Sequence, residues 1–249
     1  MRIPALLFAI QMLCFSAIAV VAQTPISCKT NSGKRLFHSP EIGKNGLSCA
    51  HCHADFDEDK KGDGIIRPAK SLYNSARRET WWGKDPEEED RFPNIAAAAV
   101  VCVVHYMRNP DKLTAQQMLD LQRYLESITR RPISSPQQVA PAADKTGLYE
   151  GFSGGDKFLG RALFYRACSS CHPNGNQGIA PAIPRDREPE FYARKIREGD
   201  GLGAVLSGRD PDAYTFTSGM FMPFFGADIL TKEEIRHIIA YVKSLPPSP

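Results

Sequence analysis

Two short strings in this chain combine thiols and an imidazole at a spacing that does specific chemistry: Cys49-Ala50-His51-Cys52-His53 and Cys168-Ser169-Ser170-Cys171-His172. In Cys-x-x-Cys-His the two cysteines lie three positions apart on one turn, where they add to the two vinyl groups of a haem. The adjacent histidine then reaches the iron. The rival chemistry is a structural zinc site, because two Cys-x-x-Cys pairs offer four sulfur ligands, but zinc does not require a histidine directly after each pair. The strings therefore predict two covalently bound haem c groups, attached through Cys49 and Cys52 and through Cys168 and Cys171, with His53 and His172 as iron ligands.

Such sites need elements to hold them, and the flanking sequence repeats. Gly33-Lys34-Arg35-Leu36-Phe37 precedes the first string and Gly160-Arg161-Ala162-Leu163-Phe164 the second. After the strings come Leu113-Thr114 with Tyr124, and Leu230-Thr231 with Tyr241; the separation from string histidine to leucine is 60 residues in one half and 58 in the other. A duplicated module accounts for this pattern. Each Leu-Thr opens a helix, with Thr as N-cap and Gln117 or Glu234 three residues on to complete a capping box. Met118, Leu121 and Leu125 in one half, and Ile235, Ile238, Ile239 and Val242 in the other, recur at helical spacing. The stretches from Gly33 and Gly160 read as short helices before the haem strings, and a helix begun near Asn94 ends in Cys102–Met107. Residues 131–146 are rich in Pro, Ser and Ala without apolar periodicity and read as a linker. The expected organisation is a signal peptide over 1–22, a first domain over 23–130, the linker, and a second domain over 147–249.

Residues 1–22 carry one charge, Arg2, an apolar stretch from about Ala5 to Val21, and a small-residue cleavage site at Val20-Val21-Ala22. Export to the periplasm follows, with Cys14 discarded and no stable membrane insertion after removal. The formal net charge of +3 is too small to suggest a nucleic-acid partner. Cys28 and Cys102 are left over from haem attachment, and an exported pair predicts a disulfide between them. His51 fills a variable position of the first string, His38 a loop and His237 a charged helix face, so all three read as solvated. Trp81, Trp82 and the acidic run Asp85–Asp90 read as a loop face, with the tryptophans as a shield for the haem.

The second half, from about Gly147 to Pro249, resembles the class I cytochrome c family through Gly160, Phe164 and Tyr165 ahead of the string, the Gly and Pro loop after it, Met222-Pro223-Phe224-Phe225-Gly226, and the helix holding Tyr241-Val242. The resemblance implies His172 as proximal and Met222 as sixth ligand, with Met220 as the alternative, and a proline carbonyl, of Pro181 or Pro184, bonded to the proximal imidazole. The run from Gly33 to His53, together with Arg67-Pro68-Ala69-Lys70-Ser71-Leu72-Tyr73-Asn74, resembles the surroundings of one haem in bacterial dihaem cytochrome c peroxidases and their relatives. Aligning the two Leu-Thr pairs without a gap sets His105 opposite Met222, and a two-residue shortening sets Met107 there. Similarity to the pattern of a cysteine, a few residues and a methionine before the last helix favours Met107, with His105 as the alternative.

The expected fold is mainly α, two tandem cytochrome c-like helical domains each wrapped around a covalent haem. Two six-coordinate irons change oxidation state without exchanging ligands, which favours electron transport between a periplasmic donor and acceptor protein over catalysis. The competing expectation is a dihaem enzyme, peroxidase-like or oxidising sulfur compounds, in which the first haem has a displaceable distal ligand or one supplied by Cys102. A third is an electron-transfer subunit of a larger oxidoreductase.

Overall fold

The computed structural model describes residues 26–58, 62–78, 81, 92, 94–131, 139–214 and 221–246, with side chains from residue 31 onward. The signal segment, Met220, Trp82, the Asp85–Asp90 run and the first half of the linker lie outside them. Among the described residues the fold is mainly helical, without strands; the one β feature is an isolated antiparallel bridge between Trp81 and Phe92. No described helix is long and apolar enough to cross a membrane.

Two packed helix pairs form the frame. In the first half α1 (Ile26–His38) packs on α4 (Ala115–Ser127), with the haem-string turn α2 (Cys49–Cys52) and α3 (Ile95–Val101) between them in sequence. In the second, α5 (Lys157–Ala167) packs on α8 (Lys232–Ser244), with α6 (Pro189–Glu198) and α7 (Leu202–Leu206) between. Thr114 and Thr231 cap α4 and α8, each accepting from the N–H of Gln117 or Glu234 at 3.2 Å. Gln117 and Glu234 return a contact to the cap N–H at 2.9 and 2.8 Å, so both expected capping boxes form.

The repeated residues turn out to be the contact points of these pairs. A Cβ on Gly33 would lie 2.0 Å from the Asp120 carbonyl oxygen, and one on Gly160 1.8 Å from that of His237. Each glycine thus lets two helix backbones touch, one turn from Tyr124 or Tyr241. Phe37 and Phe164, four residues after the glycines, are fully buried, at 6.0 Å from Tyr124 and 5.3 Å from Tyr241 between ring centroids. Leu121, Leu125, Ile235, Ile238, Ile239 and Val242 are all buried, as their spacing predicts. Gly33 lies mid-helix and not at a helix start, since α1 begins at Ile26.

The halves are also packed against each other. Phe221, from the second half, belongs to the core of the first, where Cys171, Ile179, Leu202 and Tyr214 also press in. Ile66 N–H donates to the Arg166 carbonyl at 2.8 Å, Arg166 Nε to Gly64 at 3.0 Å, and Lys70 pairs with Asp228. Direct packing, and not only the linker, sets the separation of the halves. The described end of that linker is itself tied down, with Ala140 N–H on the Asp228 carboxylate at 3.0 Å.

Candidate functional site

Both haem strings occupy a single helical turn. His53 N–H donates to the Cys49 carbonyl at 2.9 Å and His172 N–H to that of Cys168 at 2.8 Å, which puts both thiols and the imidazole of each string on one side of a turn. In the first string the turn is stapled at its start by His51, whose Nδ1 accepts from the Ser48 N–H at 3.0 Å and lies 2.9 Å from the Ser48 hydroxyl. His51 is therefore half-buried and engaged rather than solvated. His38, by contrast, is half-exposed and meets Asp55 at 2.8 Å.

His53 Nδ1 hydrogen-bonds the Lys70 carbonyl at 2.7 Å. That contact fixes the tautomer with the proton on Nδ1 and leaves the Nε2 lone pair for a metal. Burial holds the ring below its ordinary pKa, with the Lys70 carbonyl opposing, so it stays neutral as an iron ligand must. In the second string the His172 Nδ1 is buried and faces the Pro181 carbonyl without a full hydrogen bond. Pro184 is otherwise engaged, its carbonyl accepting from the Tyr192 hydroxyl at 2.7 Å. Of the two expected prolines, Pro181 is the one at the imidazole. Sequence reasoning missed Lys70 because a backbone carbonyl leaves no side-chain signature.

The donor set fits covalently attached haem: a turn presenting two thiols, and a neutral imidazole whose remote nitrogen is already occupied by a carbonyl. Among the described residues no group of three or more His, Cys, Asp and Glu is arranged to hold a metal ion. Burial pushes the Cys49 and Cys102 thiols up to about 12. Cys52 goes higher still, through burial and then the neighbouring sulfurs of Cys102, Cys171 and Cys49. The two attachment strings and Cys102 thus share one apolar region. Cys102 is half-buried beside these sulfurs; the expected Cys28–Cys102 disulfide falls on a side chain, that of Cys28, outside the described residues.

The candidate distal ligands are held by backbone contacts. α3, capped by Asn94, continues into a π-helical turn, Cys102–Tyr106, which ends on Met107. Met107 is 5% exposed within the first core. Its N–H bonds the Cys102 carbonyl at 2.8 Å and its carbonyl accepts from Lys44 at 2.9 Å. His105 is half-buried on the same turn, its carbonyl accepting from Arg108 at 2.7 Å. In the second half Met222 is half-buried and clamped from both sides by Asp200, whose carboxylate accepts the Met222 N–H at 2.8 Å and whose N–H donates to the Met222 carbonyl at 3.1 Å. Arg197, buried at the end of α6, donates to the Phe225 and Gly226 carbonyls, both at 2.9 Å.

Residues 159–246 match the family model of cytochrome c. This part of the chain is a cytochrome c domain. Such a domain carries covalently bound haem c, and its expected attachment residues are Cys168, Cys171 and His172. No curated protein matches the chain. Among solved structures, the as-isolated form of thiosulfate dehydrogenase (TsdBA) from Marichromatium purpuratum is similar over 92% of this chain, at 16% identity and a TM-score of 0.40. The chain spans about half of that protein, 48% of its length.

Around the cytochrome c domain and the first string, several residues that bear polar groups are structural, among them His237, which its charged neighbours placed on the surface. His237 is half-buried against α5, its Nδ1 accepting from the N–H of Asp156, the N-cap of that helix, at 2.8 Å. Trp81 is buried in the first core with the Arg78 guanidinium 4.9 Å over its ring. Arg67, 8% exposed, donates to the Ala50 carbonyl inside the first haem string at 3.0 Å and makes a two-pronged pair with Asp63 at 3.1 and 2.6 Å. The hydrogen bonds from Arg67 hold the Asp63 carboxyl below its usual 3.8. A depressed carboxylate stabilises the fold above its unfolded pKa, and that contribution disappears as the pH falls through the lower folded value. Thermal melts of the holoprotein taken from neutral pH down to about pH 2 should therefore show a loss of stability setting in below pH 3.8 that Asp63→Asn blunts, because the variant lacks the pair at every pH.

Proposed function

We propose that the protein is a periplasmic dihaem c-type cytochrome that carries electrons between a donor and an acceptor protein, one haem in each half. The observation that carries this reading is the Lys70 carbonyl on His53 Nδ1 at 2.7 Å. The first half, outside the matched cytochrome c domain, thereby has the same equipment as the second: a Cys-x-x-Cys-His turn, an imidazole with a carbonyl behind it, and a methionine before a Thr-capped closing helix. Bound haem c supplies an iron that cycles between ferrous and ferric states. The chain's part is to attach it through Cys49 and Cys52 and through Cys168 and Cys171, and to present His53 and His172 as proximal ligands. Met107 and Met222 then serve as soft distal ligands that favour the reduced iron.

Burial of Met107, beside a half-buried His105, supports methionine in the first half. Rigid clamps on both methionines suit electron transfer, in which ligands stay in place. Proximity of Cys52 to Cys171 supports exchange between the two haems within one chain. Signal-peptide features of residues 1–22 support the periplasm as the compartment, and redox proteins there as the partners.

One observation favours a second reading. Cys102, half-buried against the first core, lies near the attachment sulfurs of the first haem, where it would serve as an alternative, displaceable distal ligand. On that reading the protein is a dihaem enzyme, peroxidase-like or acting on sulfur compounds, or the electron-transfer subunit of a larger oxidoreductase. Low-temperature EPR and optical spectra of the ferric holoprotein separate the two. Electron transfer with His and Met ligands predicts two low-spin centres, each lost in Met107→Ala or Met222→Ala, and no rapid binding of cyanide. A high-spin centre, or a first-haem signal that responds to Cys102→Ser and not to Met107→Ala, would support the enzyme.

A further inference from the structure

The candidate distal methionines belong to different halves of the chain, yet the residue preceding each one touches the residue preceding the other. Tyr106 and Phe221 stack face to face, ring centroids 4.8 Å apart and planes inclined by 21°. Tyr214 closes the cluster edge-on, 6.3 Å from Tyr106 and 6.2 Å from Phe221. Phe221 is buried in the core of the first half, although its peptide bond continues directly into Met222 of the second.

The backbones on either side are pinned. The Tyr106 carbonyl accepts from Asn45 Nδ2 at 2.9 Å, immediately before Met107 is fixed by Cys102 and Lys44. Beyond Phe221, Asp200 grips both polar groups of Met222. Each methionine therefore has local clamps from its own half and one contact reaching it from the other, through the ring next door. A close-packed interior transmits displacement, since a void on one face of a ring is filled by moving that ring and the backbone it is attached to.

We propose that Tyr106 and Phe221 are positioning residues acting across the two halves: the ring from each half fixes the placement of the other half's distal methionine, so the ligand geometry at the two haems is interdependent. The proposal rests on the reading of Met107 and Met222 as distal ligands. Truncating Phe221 removes the surface on which Tyr106 lies and releases Met107; truncating Tyr106 removes the surface under Phe221 and releases Met222.

The test uses full-length holoprotein, with EPR of the ferric form and the far-red charge-transfer absorption of methionine-ligated ferric haem as readouts. Met107→Ala and Met222→Ala first assign one set of g values to each haem. Phe221→Leu is then expected to shift the g values assigned to the first haem and diminish its methionine absorption, and Tyr106→Leu to do the same at the second. Phe221→Tyr and Tyr106→Phe, which keep the stack, should restore the parent spectra. Phe221→Ala, with the larger void, should give a larger shift than Phe221→Leu; if it does not fold, the Leu variants carry the test. Spectral changes confined to the haem of the mutated half would overturn the cross-half role while leaving the ligand reading intact. No change in either methionine variant would overturn the ligand reading and the proposal with it.

Discussion

Gly160→Val will leave the second half without its helix pair, and expression with haem supplied should give no folded cytochrome c domain. The new Cβ falls 1.8 Å from the carbonyl oxygen of His237 on α8, against backbone on both sides. A flexible side chain can swing away from an added methyl group; two packed helix backbones have to separate. That separation would unseat Phe164, fully buried beneath the contact, and Tyr241 beyond it. Overpacking a core ordinarily costs about 1–3 kcal/mol, and a backbone clash belongs at or above the top of that range. Against a total stability of about 5–15 kcal/mol this is enough to abolish a domain that also has to wait for its haem. Urea denaturation followed by far-UV circular dichroism measures it, and Gly160→Ala should already lower the midpoint. Gly33→Val, against Asp120 on α4, is expected to do the same to the first half; tolerance of valine at either glycine would contradict the helix-contact role.

Arg197→Met carries the second-largest expected effect, and it separates fold from site. Arg197 is 4% exposed, and its guanidinium donates to two carbonyls of the loop that follows Met222. Methionine keeps the apolar stem of the side chain but takes the guanidinium from the Phe225 carbonyl, while the Gly226 carbonyl still accepts from the Ile229 and Leu230 N–H groups at 3.2 and 3.1 Å. A buried group left unpaired costs about 1–3 kcal/mol, and that is the loss expected from the Phe225 carbonyl. The α5 and α8 contact does not pass through Arg197, so the helix pair should persist while the Met222 loop loosens. The expected result is a lower thermal midpoint together with loss of methionine character at the second haem alone, read by EPR and by its far-red absorption. An unchanged spectrum in a destabilised protein would mean that the loop keeps its place by the Asp200 clamp alone.

Much of this architecture was legible in the sequence because it follows from short, periodic signals. The two Thr caps, the buried faces of α4 and α8 and the two haem-string turns are local, and each is written in residues within a turn or two of one another. The duplicated glycines were legible as a pattern, though not as a mechanism: that they mark the crossing of two backbones appears only once α1 meets α4 and α5 meets α8. What the sequence could not carry is long-range. Lys70 reaches His53 through its carbonyl, which any residue type possesses. His237 reads as surface by its charged neighbours, yet its ring is used to cap a helix that begins eighty-odd residues earlier. That Cys102 packs beside Cys49 and Cys171 is likewise a long-range fact that no local pattern carries. The separation of the halves is fixed by Phe221, Ile179 and the Lys70 to Asp228 pair, none of which has a signature in sequence.

The central claim is that both halves, and not only the cytochrome c domain, hold a covalent haem. Intact-mass spectrometry of the purified mature protein, before and after Cys49→Ala/Cys52→Ala, tests it most directly. The mass should exceed that of the processed polypeptide by two haem groups, and by one in the double variant. An excess of a single haem in the parent protein, unchanged by the substitutions, would contradict it.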